Sequence, residues 1–345
     1  FLSACCAALI TLHAAKADQI LRVATYNTEL ARDGPGLLLR DILRGDDVQI
    51  KAVLDVIVQA DADILALQGI DFDLTGAALT ALLARLPTDF TGYPYHFAQR
   101  PNTGWPTGLD MDGNGRLGER RDAQGYGAFS GQGGMAVISR YPIDQEAVQD
   151  FSALLWRDLP GARLPETAVG PFPSAAALEV QRLSTTAHWV VPINTPQGRI
   201  NILTYHATPP VFDGPEDRNG RRNADETRFW QLYLDGRVGP TVPGAFVILG
   251  DANLDAEAGD GSRAIMADLL ADPRLNDPRP EGAMGTDTVD WRSSDIGTMR
   301  VDYVLPARSL KIVNSGVLWP PENDPFADTA ANASRHRLVW VDIAR

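Results

Sequence analysis

The chain has 345 residues, of which 44% are hydrophobic and 22% are charged, an ordinary composition for a globular protein with a large core. Its formal net charge is −13 at pH 7 and its pI is about 4.8. An acidic chain is poorly suited to tight non-specific binding of nucleic acid or of an anionic membrane. Duplex nucleic acid is therefore not an expected partner.

The chain opens with a short apolar run that ends at Ala15, Lys16 and Ala17, a pattern typical of a signal-peptide cleavage site. We predict that residues 1–17 are the remnant of a signal peptide, that the protein is exported to the periplasm or the medium, and that residues 18–345 form a single domain. The run is too short to span a membrane. A lipid anchor is the alternative, because residues 2–5 resemble a lipoprotein acylation box. Both cysteines lie in this run, which leaves no thiol for a disulfide or a Cys metal site in residues 18–345.

The spacing of apolar residues predicts strands interspersed with helices along the rest of the chain. Strands are predicted at 21–27, 63–68, 134–140, 187–194, 200–206, 245–251, 299–306, 310–316 and 337–343. Helices are predicted at 48–60, 76–86 and 223–236, and long loops at 99–132 and 156–180. Helices among two runs of mostly antiparallel strands predict an α/β fold in which a two-sheet β-sandwich is flanked by helices.

Polar residues recur at the ends of these predicted strands. They are Asn27, Glu29, His206, Asp251, Asn253, Asp302 and His336. Polar groups at the ends of apolar strands can converge on one cleft at the edge of a sheet, so this pattern predicts a common site. Turn chemistry after a strand is the alternative interpretation for each residue taken singly.

Seven segments carry a resemblance to a known family. YNTE, DILALQ, GMAVISRYPI, ILTYHATPP, VILGDANLD, VDYVLP and SRHRLV follow one another from residue 26 to residue 339. In this order the chain resembles the endonuclease/exonuclease/phosphatase superfamily, the metal-dependent phosphoesterases that include deoxyribonuclease I and sphingomyelinases. The resemblance implies a deoxyribonuclease I-like four-layer sandwich. It also implies hydrolysis of phosphomonoesters or phosphodiesters by attack of water, with Mg²⁺ or Mn²⁺, or alternatively Ca²⁺, as cofactor.

The residue types fit this chemistry. Asn27 and Glu29 offer hard oxygen ligands for a divalent metal. Asp251 is predicted to orient the attacking water or to bind the metal, and Asn253 to donate to a phosphate oxygen. His206 is predicted to stabilise charge on a substrate oxygen, although a single histidine at a strand end is often structural.

His336 and Asp302 are predicted to act as a pair. Asp302 would accept a hydrogen bond from one imidazole nitrogen and leave the other to meet the phosphate or the water, as the resemblance also implies. His336 lies between Arg335 and Arg337, and neighbouring cations disfavour a protonated imidazole, so we expect a neutral base near pH 7.

Two positions depart from the pattern that the resemblance implies. The family places a metal-binding Glu after the Gln of the LQ segment and an Asp before the last His, and this chain has Gly69 and Arg335 there. Asp71 or Asp73, just beyond the gap, could supply the missing carboxylate, and Asp71 is predicted as the replacement ligand. Arg335 is predicted to bind a substrate phosphate directly through its two N–H groups. Alternatively, it pairs with Glu29 and the site is inactive.

Three further groups of residues have predicted roles. Asp110, Asp112 and Asn114 alternate as in the first half of an EF-hand loop, but the twelfth position is Arg121, so we predict a separate structural Ca²⁺ site or, alternatively, a solvated turn. His188 and Arg182 are predicted to line the cleft and contact substrate. Four arginines follow His206 closely and either hold substrate phosphates or form ion pairs around a helix start: Arg218, Arg221, Arg222 and Arg228.

The sequence thus predicts a metal-dependent phosphoesterase acting on a small phosphorylated or phosphodiester substrate, as a monomer without a transmembrane span. The alternatives are a degenerate family member that binds an anionic phosphate ligand without turnover, and a nuclease. The acidic charge and the lack of a basic face argue against the nuclease.

Overall fold

Residues 20–344 are described by the computed structural model, so the predicted signal peptide at 1–17 lies outside the described residues. The strands are β1 Leu21–Leu30, β2 Ile64–Ile70, β3 Tyr95–Phe97, β4 Gly134–Ser139, β5 Gln149–Asp150, β6 Glu166–Thr167, β7 Gly170–Pro171, β8 His188–Thr195, β9 Gly198–His206, β10 Ala245–Asp251, β11 Val289–Asp290, β12 Thr298–Met299, β13 Asp302–Pro306, β14 Lys311–Val317 and β15 Val339–Ala344.

The α-helices are α1 Leu37–Arg44, α2 Val48–Ala60, α3 Ala77–Leu83, α4 Ala175–Val180, α5 Arg218–Leu234, α6 Arg263–Leu270 and α7 Ala327–Ala333. Short 3₁₀ turns lie at Arg120–Asp122, Gln145–Ala147, Trp156–Asp158 and Arg292–Ser294. Within residues 20–344, no helix has both the length and the apolar character that a membrane crossing requires.

Two large sheets form the framework. The first has the strand order β14-β15-β1-β2-β4-β3 and the second β13-β10-β9-β8-β5. Most neighbouring strands run antiparallel, as the sequence predicts, but β1 pairs with β2 and β9 with β10 in parallel. Each parallel pair is bridged by a segment that contains a helix, α2 and α5 respectively, which is the connection that parallel strands need.

The sheets and helices stack in four layers around three apolar clusters. Val23, Val191 and Val247 belong to the cluster that fills the space between the two sheets. Residues of α1, α2 and α3 cover the outer face of the first sheet, and residues of α5 and α6 cover the outer face of the second. The predicted fold class, a two-sheet sandwich flanked by helices, is confirmed.

Helix α2 shows how the local sequence produces these elements. The Asp47 side chain accepts a hydrogen bond from the Ile50 amide at 2.9 Å and so satisfies one of the free N–H groups at the helix start. Ile50, Val53 and Ile57 recur at helical spacing, and all three are buried against the first sheet. The helix therefore has the bounds that its sequence predicts, residues 48–60.

Candidate active site

The inner faces of two central strands change from apolar to polar at one end of the sandwich. On β10, Val247 and Leu249 face the core between the sheets, and the period of two places Asp251 on the same face. On β1, the same period of two places Val23 and Asn27 on the inner face. The Asn27 amide donates to Asp251 Oδ2 at 2.9 Å, so the two sheets are joined here by a polar contact.

Strand register places three of the predicted residues side by side in the second sheet. Asp251 on β10 is paired with His206 on β9 and with Asp302 on β13. Residues in register on one face of neighbouring strands have side chains close together. The sheet itself therefore brings together residues that are far apart in the sequence.

Asp251 is fully buried and lies at the centre of this group. Besides Asn27, its carboxylate accepts the Asn253 amide N–H at 2.8 Å, and His206 Nε2 lies 3.4 Å from Oδ2. Burial and the nearby Asp302 carboxylate raise the pKa of Asp251, while His336, His206 and Asn27 oppose that rise. A carboxylate of raised pKa is a better proton acceptor, which suits the role predicted for Asp251.

Two of the predicted roles are altered by these contacts. The Asn253 side chain donates to the Ala207 carbonyl at 3.0 Å, so one of its N–H groups holds the loop after β9. Burial lowers the pKa of His206, against the opposite influence of Asp251, and its Nδ1 is buried without a hydrogen-bonding partner among the described residues. His206 is therefore a neutral imidazole at pH 7.

His336 and Asp302 form the predicted pair. His336 Nδ1 lies 2.9 Å from Asp302 Oδ2, which also accepts from the Thr288 hydroxyl at 2.8 Å. Burial lowers the pKa of His336, but the carboxylates of Asp302, Asp251 and Glu29 outweigh it and raise the pKa to about 9. The expectation of a neutral base near pH 7 was wrong, because the buried carboxylates act more strongly on the imidazole than the flanking arginines.

Arg335 is bound to Glu29. The Arg335 backbone N–H lies 2.7 Å from Glu29 Oε2, and its guanidinium Nε lies 2.8 Å from Oε1, with Nη2 on the same oxygen. Burial raises the pKa of Glu29, but the contacts with Arg335 outweigh it and hold the pKa below its usual value. Of the two roles proposed for Arg335, the structure contains the ion pair. Nη1 makes no hydrogen bond with residues 20–344, and contact with a phosphate through it stays a prediction.

Gly69 occupies a position that a longer side chain cannot fill. It lies opposite a bulge in β1, where Asn27 pairs with Gln68 and Leu30 with Ile70. Its φ is +68°, and a Cβ atom there would overlap with the Asn27 side-chain oxygen and lie 3.0 Å from the Glu29 amide nitrogen. A Glu at this position, which the resemblance implies, would therefore be both strained and obstructed.

The tentative replacement ligand Asp71 is engaged elsewhere, and this assignment was wrong. Its two carboxylate oxygens accept the backbone N–H groups of Arg32 and Gly133, each at 2.9 Å. Burial raises the pKa of Asp71 to about 6. The second possible replacement, Asp73, accepts the amides of Ala77 and Ala78 and caps α3. Both carboxylates hold backbone rather than approach Asp251.

The donors that the resemblance places around a divalent ion do not fit one in this chain. Residue 69 has no side chain, Arg335 is a cation, and the Glu29 carboxylate is occupied by that cation. Asp251, Asp302 and His336 do offer ligand atoms within 4.8 Å of one another. However, His336 Nδ1 is already hydrogen-bonded to Asp302, so this nitrogen is not free to bind an ion.

The substrate contact predicted for His188 was wrong, and the one predicted for Arg182 stays a prediction. His188 is fully buried in the cluster beneath α5, with Nδ1 2.8 Å from the Ser184 hydroxyl and Nε2 2.9 Å from the Glu226 carbonyl. Burial lowers its pKa to about 4. Arg182 donates to the Asn102 side chain at 2.8 Å and lies over the Trp105 ring. His188 lies on the outer side of the second sheet because alternation along β8 turns it away from the core between the sheets, and Arg182 lies in the loop between α4 and β8.

The arginines of α5 hold loops or pair with acids. Arg222 is buried and donates to four backbone carbonyls, those of residues 124, 182, 183 and 184. Arg228 pairs with Asp225 at 2.9 Å, and Arg221 reaches only the Leu164 carbonyl. Arg218 donates to the Met111 carbonyl through Nη1 and also lines a cavity near the site. All four thus have structural contacts, which favours the alternative given for this cluster.

The sequence analysis missed residues that hold the site together. The buried Asn223 side chain donates to the carbonyls of Thr208 at 2.7 Å and Ala252 at 2.8 Å, so it ties the loops after β9 and β10. Thr288 positions Asp302, and Ser334 donates to the Asn27 carbonyl at 2.8 Å. In the sequence, each of them is only a polar residue beside a motif. Such residues are too frequent for these to be recognised from the sequence alone.

The predicted calcium loop is a tight turn with a third carboxylate. Asp110 accepts backbone N–H groups from four residues between 112 and 115, and the Asn114 side chain is bonded to Asp112, Glu119 and the amide of residue 116. Asp122, which the sequence analysis did not include, brings a carboxylate oxygen within 4.8 Å of those of Asp110 and Asp112. The Asp122 oxygens also accept the backbone N–H groups of Met111 and Glu119, each at 2.9 Å.

Comparison with known proteins agrees with the motif order. A sequence profile of the Endonuclease/Exonuclease/phosphatase family matches residues 24–336. No curated protein matches the chain.

Several solved structures share the fold. An endonuclease/exonuclease/phosphatase from Beutenbergia cavernae DSM 12333 is 20% identical with a TM-score of 0.57, over 94% of this chain and 71% of that one. A family protein from Leptotrichia buccalis C-1013-b is 19% identical with a TM-score of 0.52, and sphingomyelinase C from Streptomyces griseocarneus is 17% identical with a TM-score of 0.51. These two alignments cover 94% of this chain and 99% of the other. At such identities the likeness establishes the fold.

Proposed function

The chain belongs to the endonuclease/exonuclease/phosphatase family, and from this premise we propose that it is a phosphoesterase that hydrolyses a small phosphomonoester or phosphodiester by attack of water. The observation that carries the proposal is the convergence of Asp251, Asp302 and His336, whose polar atoms lie within 4.8 Å of one another at one end of the sandwich. Export, predicted from residues 1–17, is part of the proposal and rests on that segment alone.

Each residue has a defined task. Asp251, of raised pKa, accepts a proton from the attacking water, and Asn27 holds its carboxylate in place. Asp302 fixes the His336 imidazolium through Nδ1, so that Nε2 can donate to a phosphate oxygen and stabilise the charge that develops there. His206 lies next to Asp251 as a neutral hydrogen-bonding group.

The site differs from the family pattern at the positions where a cofactor would stabilise charge. The family's enzymes generally act with a divalent metal, and here the Arg335–Glu29 pair stands where its ligands would be. We propose that guanidinium and imidazolium charges supply part of that stabilisation, so that turnover depends less on added metal than the sequence predicts.

We expect the purified protein to release p-nitrophenol from p-nitrophenyl phosphate or bis-p-nitrophenyl phosphate, with residual activity after treatment with EDTA. The matched control is Asp251→Asn, which should be inactive under all conditions and so excludes a contaminating enzyme. A folded protein without turnover in EDTA, Mg²⁺, Mn²⁺ or Ca²⁺ would contradict the proposal. If phosphoesters then raised the melting temperature without product, the alternative of a binding protein without turnover would be supported.

We propose further that the loop at 110–122 binds Ca²⁺ through Asp110, Asp112 and Asp122. Burial and the neighbouring carboxylates raise the pKa of Asp112, against a hydrogen bond from Asn114, and a bound cation would relieve that repulsion. Adding Ca²⁺ to chelator-treated protein should raise the melting temperature by about 2–4 °C or more. Asp112→Asn should remove the shift, and Asp268→Asn, an exposed acid on α6, should retain it. Equal melting temperatures of the wild-type protein with and without Ca²⁺ would count against the site.

A further inference from the structure

A cavity of about 350 Å³ lies beside the catalytic cluster and has no role in the mechanism above. Thr208 and Pro209, which line it, follow directly after β9, whose last residue is His206. Two residues of chain span at most about 7 Å, so the backbone of Thr208 in the lining lies within that distance of the backbone of His206. Its volume falls in the range of small-molecule sites.

The residues that line the cavity are positively charged, although the protein as a whole is acidic. The chain carries a net charge of −13, yet three of the ten lining residues are arginines and none is acidic. Arg222 is used by backbone carbonyls. Arg218 donates to the Met111 carbonyl through Nη1, and its other guanidinium nitrogens make no hydrogen bond with residues 20–344. Burial lowers the pKa of Arg218 and Arg121 lowers it further, whereas nearby acids act in the opposite direction. Arg121 is exposed and makes no hydrogen bond or ion pair with the residues between 20 and 344. Neighbouring cations without a carboxylate in the cavity favour an anionic ligand.

Two aromatic rings accompany these cations. Tyr126 is 61% exposed and Phe212 is 73% exposed, and both line the cavity. Phe212 has a φ of +70°, a conformation that costs free energy in a bulky residue. Asn219 maintains it, because its side chain donates to the Val211 carbonyl at 2.7 Å and its amide donates to the Asp213 carboxylate. The loop thus holds an exposed aromatic ring at the cavity in a strained conformation, which indicates a binding role.

We propose that this cavity binds the organic substituent of the phosphoester, and that it selects a planar ring that carries a second negative charge. The ring packs on Tyr126 and Phe212, and the charge pairs with Arg121 and Arg218. This assignment rests on the proposed function, because it places the phosphate in the catalytic cluster. The cavity and that cluster are mechanically linked, since Asn223 ties the Thr208 carbonyl to the Ala252 carbonyl next to Asp251.

The test uses calorimetric binding of phosphonates, which the protein cannot hydrolyse. We expect phenylphosphonate to bind about fivefold more tightly than methylphosphonate, and 4-carboxyphenylphosphonate about tenfold more tightly than phenylphosphonate. Arg121→Ala should remove the second difference and leave the first, and Tyr126→Ala should reduce the first. The matched controls are Arg116→Ala, a 77% exposed arginine of the same loop, and Tyr95→Ala, another exposed tyrosine; neither should change any affinity.

Equal affinities for the three phosphonates, differences that survive both variants, or no binding of any of them would overturn the assignment. Turnover of phosphoesters without this discrimination would leave the proposed function intact and refute the cavity assignment alone. Discrimination among phosphonates by a protein without turnover would support the cavity and refute the proposed function.

Discussion

Replacing His336 with asparagine is expected to lower kcat at least about 100-fold, the scale on which a positioned acid–base group acts. Asparagine has a side-chain N–H that can replace the His336 Nδ1 donor to Asp302, a bond of 2.9 Å in the wild-type protein. It cannot carry the positive charge or present a second nitrogen to the phosphate. The substitution therefore removes the chemistry and keeps the hydrogen bond, whereas His336→Ala would also leave two buried carboxylates without their partner.

His96→Asn is the matched control, because His96 is exposed on β3 and should leave kcat unchanged. A His336→Asn enzyme with wild-type kcat would remove His336 from the mechanism. The unfolding free energy adds a second readout. The folded pKa of about 9 exceeds the ordinary value of 6.5, so the stabilisation is fully present below about pH 6.5 and is lost as pH rises through 9. The difference between wild-type and His336→Asn stability should follow that course.

Arg335→Asp is expected to create a divalent-metal site with at least about tenfold higher affinity for Mn²⁺ than the wild-type protein, a change of about 1.4 kcal/mol. The wild-type guanidinium occupies Glu29, whereas two neighbouring carboxylates provide the oxygen ligands that such ions require. Isothermal titration measures the affinity directly. If turnover in Mn²⁺ also rises, the natural site is a weakened metal site. If turnover falls while affinity rises, the arginine itself takes part in charge stabilisation.

The control for this prediction is Arg237→Asp, which makes the same change in charge. Arg237 is exposed, and its side chain makes no hydrogen bond or ion pair with residues 20–344, so its replacement leaves no carboxylate partner behind. Its variant should bind Mn²⁺ as weakly as the wild-type protein. Equal affinities of the two variants would indicate a general effect of negative charge and would contradict a local site.

Elements with a clear period could be predicted from the sequence. The observed bounds of α2 and β10 agree with the predicted bounds residue for residue. Helix α2 has one buried apolar face, and strand β10 is apolar and buried on both faces. Helix α5 begins five residues earlier than predicted, at Arg218, because its first turns carry polar residues that are buried by loop carbonyls rather than by apolar contacts. Helices α1, α4, α6 and α7 were missed because each has at most eight residues, and so short an apolar pattern is ambiguous.

Site residues could be predicted where a motif ends a strand. The contacts and pKa values of their side chains could not be predicted where they depend on residues distant in the sequence. Asp302 and His336 come together as predicted. The pKa of that histidine was not predictable, because sequence neighbours such as Arg335 point elsewhere while Asp251, distant in sequence, lies 3.9 Å from the imidazole. His188 was misplaced for a related reason: a single step along a strand decides which face of the sheet a side chain occupies.

The polar contact between Asn27 and Asp251 links residues 224 positions apart and joins the two sheets. The Asp302–His336 bond likewise joins the second sheet to the segment before β15 of the first. Neither sheet alone contains a complete site, so the chemistry needs contacts between residues that are distant in the sequence. Long-range contacts of this kind slow folding. They also make activity a report on cooperative global folding: a partly folded chain with one sheet formed has no catalytic function, and the loss of activity in denaturant should coincide with the separation of the sheets.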